Sequence, residues 1–192
     1  MFIQKKHITG GSSTALGAAL AARISMATFS KSMKTCLLAG ALLIPVAVLA
    51  TSDSGTVLNV DLSRGAVQAP ISVLGNAGAW HYSLQTDQPS DIIVQHAERA
   101  PHGWSGWHSH PGPVLFTVVK GTATWYRANG PDCKPVILPA GTTIVEPAGV
   151  VHTVQNESDT EDFETINTYI LPAGAVRRTD EPNPGGACSN LP

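Results

Sequence analysis

Beyond residue 50 the chain shows no helical periodicity of useful length. Short β-branched runs bounded by Gly, Pro, Asn and Asp take its place at 57–62, 70–74, 80–85, 91–97, 114–119, 122–127, 134–138, 142–146, 151–155 and 163–171. Runs punctuated in this way read as strands, and many in series leave an all-β sandwich or barrel as the fold class. Lys120-Gly121 predicts a tight hairpin between its flanking runs. Residues 127–134 (RANGPDCK) read as a longer turn, because Asn, Gly, Pro and Asp each disfavour a strand interior.

The first fifty residues differ in kind. Lys31 and Lys34 precede an apolar run over 36–50 that ends on small residues, which is the pattern of a secretory signal peptide cut after Ala50. The run is short for a membrane span and contains Pro45. An uncleaved anchor and a buried helix are the alternatives. Met33 opens a compact export signal by itself, whereas a start at Met1 or Met26 leaves a longer leader ahead of it. The rest divides into a lead-in strand segment over 51–69, a barrel over 70–171 and a tail over 172–192.

Removing the leader changes the charge. Five of the twelve Lys and Arg lie in it and none of the fourteen Asp and Glu, leaving seven basic against fourteen acidic residues. So acidic a chain argues against nucleic acid and against an anionic membrane as partner, since both require clustered Lys and Arg. No stable membrane insertion is expected after cleavage, and the protein is expected to be secreted or periplasmic. Cys36 leaves with the leader, so Cys133 and Cys188 remain as an even pair in an oxidising compartment, which reads as a disulfide. Two free thiols are the alternative, since spacing does not bring two Cα atoms within bridging distance.

The chemistry centres on Trp107-His108-Ser109-His110. Two histidines two residues apart on a strand share a face, and His152 follows a second glycine-marked strand. Three neutral imidazoles converging on one point make a metal site with coordination positions left open. A set of hydrogen-bonded histidines in a barrel mouth is the alternative.

These residues resemble the cupin superfamily. Its second motif, G-x5-P-x-G-x2-H-x3-N, is met at Gly141, Pro147, Gly149, His152 and Asn156. Its first motif sets a glycine, an H-x-H pair, a carboxylate and a second glycine in order, and Gly103, His108, His110 and Gly121 are present. The resemblance covers roughly residues 70–170. It implies a single jelly-roll barrel (a double-stranded β-helix), a divalent metal (Fe, Mn, Ni or Zn), a small-molecule ligand and a homodimer. Where the family's carboxylate is due, seven residues before Gly121, the chain carries Val114, which cannot bind a metal. The resemblance then implies a three-histidine site of the kind that holds iron in some cupin thiol dioxygenases.

Glu146, just before Pro147, and Gln95 are candidates for an additional ligand, with Glu98 near Gln95. For the two glutamates a turn or surface role is the alternative. Phe116 shares the side of Val114, which predicts an apolar pocket suited to a hydrophobic small molecule, with core or a dimer surface as the alternative for these and the nearby tryptophans. Alternation turns Trp107 away from the histidines, and Asn156 is placed to hold a neighbouring turn by hydrogen bonds. His81 and His96 have no assigned role, while His102 either gates the site or is a solvated loop residue. Two functions compete: a metal-dependent small-molecule oxygenase with no identifiable separate acid or base, and a non-catalytic ligand-binding or sensing module. A third reading makes the histidines mere braces of the barrel.

Overall fold

The computed structural model describes residues 49–128 and 132–192. The leader expected over 1–50 lies outside them apart from Leu49 and Ala50, as does the 129–131 part of the long turn. One wall of a near-closed barrel is built from β1 (Ser54–Val67), β4 (Ser90–Trp104), β11 (Phe163–Pro172), β6 (Val114–Lys120) and β9 (Thr143–Glu146), antiparallel in that order. The other is built from β12 (Thr179–Asp180), β5 (His108–Ser109), β10 (His152–Gln155), β7 (Thr122–Arg127) and β8 (Val136–Pro139). The walls join where Gln155 pairs with Trp104 at the end of β4. This is the jelly-roll arrangement that the resemblance implies.

The hairpin expected at Lys120-Gly121 does not form. β6 pairs with β11 and β9, and β7 pairs with β10 and β8, so the chain crosses from one wall to the other at this point. Gly121 makes the corner at φ +68°, and a Cβ there would stand 2.5 Å from the Asp162 carbonyl oxygen. Only glycine suits both the left-handed backbone and that approach.

Period-two alternation decides what faces inward. β11 buries Phe163, Thr165, Asn167, Tyr169 and Leu171 and leaves the residues between them half-buried. One apolar cluster gathers Phe116, Val118, Trp125, Leu138, Val154 and Phe163, and another gathers Ile93, Val114, Tyr169 and Leu171. Fully buried side chains such as Ile93 and Val118 each stabilise by about 1.5–3 kcal/mol. Gln95, Arg99, Thr165 and Asn167 are also buried, and they line a cavity within the barrel.

The segment after Pro172 folds back onto the barrel. Thr179 and Asp180 pair with Ser109 and His108, and Cys188 is disulfide-bonded to Cys133 with Cα atoms 5.3 Å apart. The disulfide packs with Trp107 and Tyr126, and Trp107 Nε1 donates to the Pro192 carbonyl at 3.0 Å. Trp125 belongs to the barrel core while Tyr126 belongs to this outer cluster, so β7 is covered on both faces.

β2 (Ser72–Ala77) and β3 (Trp80–Gln85) form a separate hairpin. Its register puts Val73, Leu84, Tyr82 and Trp80 on one face, and all four are exposed. Tyr82 lies over Gly75, where any side chain would collide with its ring. Among the described residues no helix is long and apolar enough to cross a membrane.

Candidate metal centre

Strand register brings the histidines together. His108 and His152 are directly paired across β5 and β10, and His110 follows just past the end of β5. The expectation of a strand running through both His108 and His110 is met only for His108 and Ser109. The ring centroids lie 4.9 Å (His108 to His110), 4.3 Å (His108 to His152) and 5.2 Å (His110 to His152) apart. One nitrogen from each lies within 4.8 Å of the others, a cluster able to coordinate a metal ion. All three side chains are buried.

Each ring is oriented from behind by a backbone carbonyl. His108 Nδ1 donates to Gly106, His110 Nδ1 to Arg177 and His152 Nδ1 to Val150, each at 2.8 Å. A carbonyl only accepts, so these contacts place the proton on Nδ1 and leave the Nε2 lone pair free for a metal. Burial holds the His108 pKa well below its usual value and brings that of His110 down to about 4. Both imidazoles are therefore neutral at neutral pH, the form that binds metal. For His152 burial also opposes charge, but attraction to the Glu146 carboxylate, 3.2 Å from Nε2, outweighs burial and raises the pKa.

The Glu146 carboxylate faces two of the three imidazoles. Glu146 is 2 % exposed, with its carboxylate 3.2 Å from His152 Nε2 and 3.7 Å from His110 Nε2. Oε1 accepts a hydrogen bond from Trp125 Nε1 at 3.0 Å. His152 Nε2 is buried and makes no hydrogen bond. With the proton on Nδ1, that nitrogen and the carboxylate oxygen are two acceptors facing each other in a buried space, an arrangement that a bound metal ion or a second proton on the imidazole satisfies. The three imidazole nitrogens suit a divalent transition metal.

Val114 is fully buried and stands directly opposite Glu146 in the β6–β9 register. Glu146 thus lies on the strand adjacent to the position where the family's carboxylate is due. Gln95 stands elsewhere in the cavity, accepting from Tyr169 Oη at 2.7 Å and Asn167 Nδ2 at 3.0 Å and donating to Asn59. Phe116 lines the cavity, and Trp107 packs against the disulfide cluster. Glu98 is half-buried on β4, His96 pairs with Glu164, and His81 and Asn76 meet on the exposed hairpin. His102 is 69 % exposed beside Asp159. Asn156 Nδ2 donates to the carbonyls of Arg99 and Glu161, and its Oδ1 accepts from Ser158 N, fixing the turn as expected.

The cavity wall corrects the expectation of an apolar pocket. Phe116, Val154 and Phe163 share it with Gln95, Arg99, Asn167, Tyr169, Arg177 and Arg178. Alternation in β4 and β11 turns Gln95, Arg99, Thr165 and Asn167 inward. That signal lay in the sequence pattern, whereas Arg177 and Arg178 come from the returning tail and carried none. Burial pushes the Tyr169 hydroxyl up to about 12, so it stays protonated and donates to Gln95.

A family model described as Cupin domain matches residues 95–169, the stretch that carries all three histidines. A search of curated proteins finds no match. Among solved structures, a cupin-like protein from Thermotoga maritima is 22% identical, covers 47% of this chain and 65% of its own, and superposes with a TM-score of 0.41. A conserved protein with a double-stranded β-helix domain from Klebsiella pneumoniae is 25% identical over 59% of this chain and 80% of its own, with a TM-score of 0.38. An oxalate oxidase in complex with glycolate is 24% identical over 41% of each chain, with a TM-score of 0.37. The chain spans less than two thirds of the length of the first and last of these.

Proposed function

For this chain, a cupin-domain protein, we propose the function of an exported metalloenzyme that holds one divalent ion through His108, His110 and His152, with Glu146 as anionic fourth partner, and oxidises a small molecule. The observation that supports it most is the buried His152 Nε2, which has no hydrogen-bond partner and faces the Glu146 carboxylate. A metal ion at this point supplies a Lewis-acidic centre with positions open to small molecules. The carbonyls of Gly106, Val150 and Arg177 hold the imidazole lone pairs inward, and Trp125 fixes the carboxylate. Export is supported by the apolar run over 36–50 and by the Cys133–Cys188 disulfide, a bond typical of oxidising compartments.

The test combines three measurements on the protein recovered from the secreted or periplasmic fraction. Its mass is expected to begin at Thr51. Metal analysis is expected to find about one ion per chain, and adding Fe(II), Mn(II), Ni(II) or Zn(II) at about 100 times its Kd raises Tm by about 8 °C, from about 2.7 kcal/mol of linkage in a domain of this size. Oxygen uptake is expected with one member of a panel of small acids, diols, thiols and diketones. A chain kept in the cytoplasm with its leader overturns export, and the absence of both metal and Tm shift overturns the metal site. Metal without any oxygen uptake overturns the oxidising role and leaves a ligand-binding module.

A homodimer accompanies this reading. A two-stranded hairpin is marginal on its own in water, yet β2–β3 exposes Val73, Tyr82, Leu84 and Trp80. The first wall exposes Leu115, Val119 and Val145. Both an apolar arm and an apolar face occur on one chain, so a two-fold pair can cover each with the other. Light scattering is expected to give twice the chain mass, and Trp80→Ser with Leu84→Ser to give a monomer. A monomeric parent protein overturns the pairing.

A further inference from the structure

The cavity beside the three histidines is small. Its volume is about 60 Å³, room for roughly four to six waters, so a ligand of about that many non-hydrogen atoms fills it. Three guanidiniums line it, those of Arg99, Arg177 and Arg178, along with one carboxylate, Glu146. The acidic partners of the three arginines, Asp53, Asp61 and Asp180, have side chains 44%, 44% and 57% exposed, where water screens their charge. Three guanidiniums against one carboxylate give the lining a surplus of positive charge.

Two of the three guanidiniums are committed to the protein. Arg99 Nη1 donates to the carbonyls of Ser54 (3.1 Å) and Trp104 (3.0 Å) and to Thr56 Oγ1 (2.8 Å). Arg178 Nη2 donates to the Ser105 carbonyl at 2.6 Å, and its Nε pairs with Asp180. Arg177 differs. Its guanidinium lies over the Tyr169 ring, 5.3 Å from the centroid, a contact that leaves the N–H donors free, and its contacts to Tyr169 Oη (3.5 Å), Asn59 Oδ1 (3.4 Å) and Asp61 (3.5 Å) all sit at the outer limit of a hydrogen bond. A guanidinium offers five N–H donors in a fork that matches a carboxylate. The backbone carbonyl of the same residue accepts from His110 Nδ1, which anchors Arg177 next to the metal site. Asn167 Oδ1, buried without a donor, adds a polar group that a ligand can satisfy.

We propose that the site takes a small carboxylate anion, with the Arg177 guanidinium as its anchor beside the three histidines. This deepens the metalloenzyme reading and rests on it. Calorimetric titration of the metal-loaded protein with acetate and with lactate is expected to show binding. The uncharged acetamide and lactamide and the larger benzoate are expected to bind at least tenfold more weakly. Arg177→Gln is expected to weaken lactate binding about 10- to 100-fold, the range of a hydrogen bond to a charged group, while metal affinity and Tm match those of the parent. Lactamide binding as tightly as lactate overturns the proposal, and that comparison needs no variant. Unchanged lactate affinity in a folded Arg177→Gln protein overturns it as well. If the parent takes up no metal, it is the metal-site reading that has failed. Lactate titrated into the metal-free protein and its Arg177→Gln variant then reads the anchor separately.

Discussion

Replacing His108 and His110 together by glutamine is expected to abolish metal binding in a barrel that still folds. Apparent binding of about 10 kcal/mol or more, shared over three or four donors, assigns about 3 kcal/mol to each. Losing two therefore weakens affinity by about 10⁴-fold. The fold loses the Nδ1 bonds to the Gly106 and Arg177 carbonyls, about 1 kcal/mol each, and a longer contact between His108 Nδ1 and Ser105 Oγ. Metal titration and thermal melts of the metal-free protein separate the outcomes. An unfolded variant means the histidines brace the barrel, and a folded variant that retains metal places the site elsewhere. Glu146→Gln is expected to cost about 100-fold as a single lost donor, on the same division. Because Val114 and Glu146 are cross-strand partners, Val114→Glu in the Glu146→Gln background is expected to recover part of that loss.

The second large effect concerns the disulfide. Cys133 and Cys188 are 55 residues apart, and closing a loop of that length lowers the entropy of the unfolded chain by an amount worth about 4 kcal/mol. Cys133→Ala with Cys188→Ala is expected to lower stability by about that much and Tm by about 12 °C in a domain of this size. Denaturant melts with and without a reductant give the same comparison without mutation. A change below about 1 kcal/mol would mean that the Trp107 and Tyr126 contacts hold the returning segment by themselves. That segment supplies the carbonyl behind His110 and the Arg177 guanidinium. Reduction is therefore also expected to loosen the site.

Much of this was legible beforehand. The ten runs read as strands overlap strands of the structure, because β-branched residues favour extended backbone and the Gly, Pro, Asn and Asp between them favour turns. The three histidines were legible because H-x-H and P-x-G-x2-H are local spacings that a strand converts directly into a shared face. Where reading failed, the cause was contact between distant segments. Lys120-Gly121 looked like a hairpin because the turn chemistry is local, whereas the choice of partner strand depends on the whole wall. The apolar pocket was expected from Phe116 and Val114, but Phe116 shares the cavity with polar side chains of the neighbouring strands β4 and β11 and of the returning tail.

The sequence by itself determined an all-β chain, a pair of cysteines and three histidines at metal-ligand spacing, since each follows from residue type and short-range periodicity. Only the tertiary structure decided which carboxylate stands at the site. Along the chain Glu146 reads either as an additional ligand or as a turn or surface residue, and it becomes a neighbour of His110 and His152 because β9 pairs with β6 so that Glu146 falls opposite Val114. The cationic character of the cavity was decided in the same way, by a tail that returns under a disulfide to set Arg177 beside His110. Register and chain return are properties of long-range packing, and no local pattern encodes them.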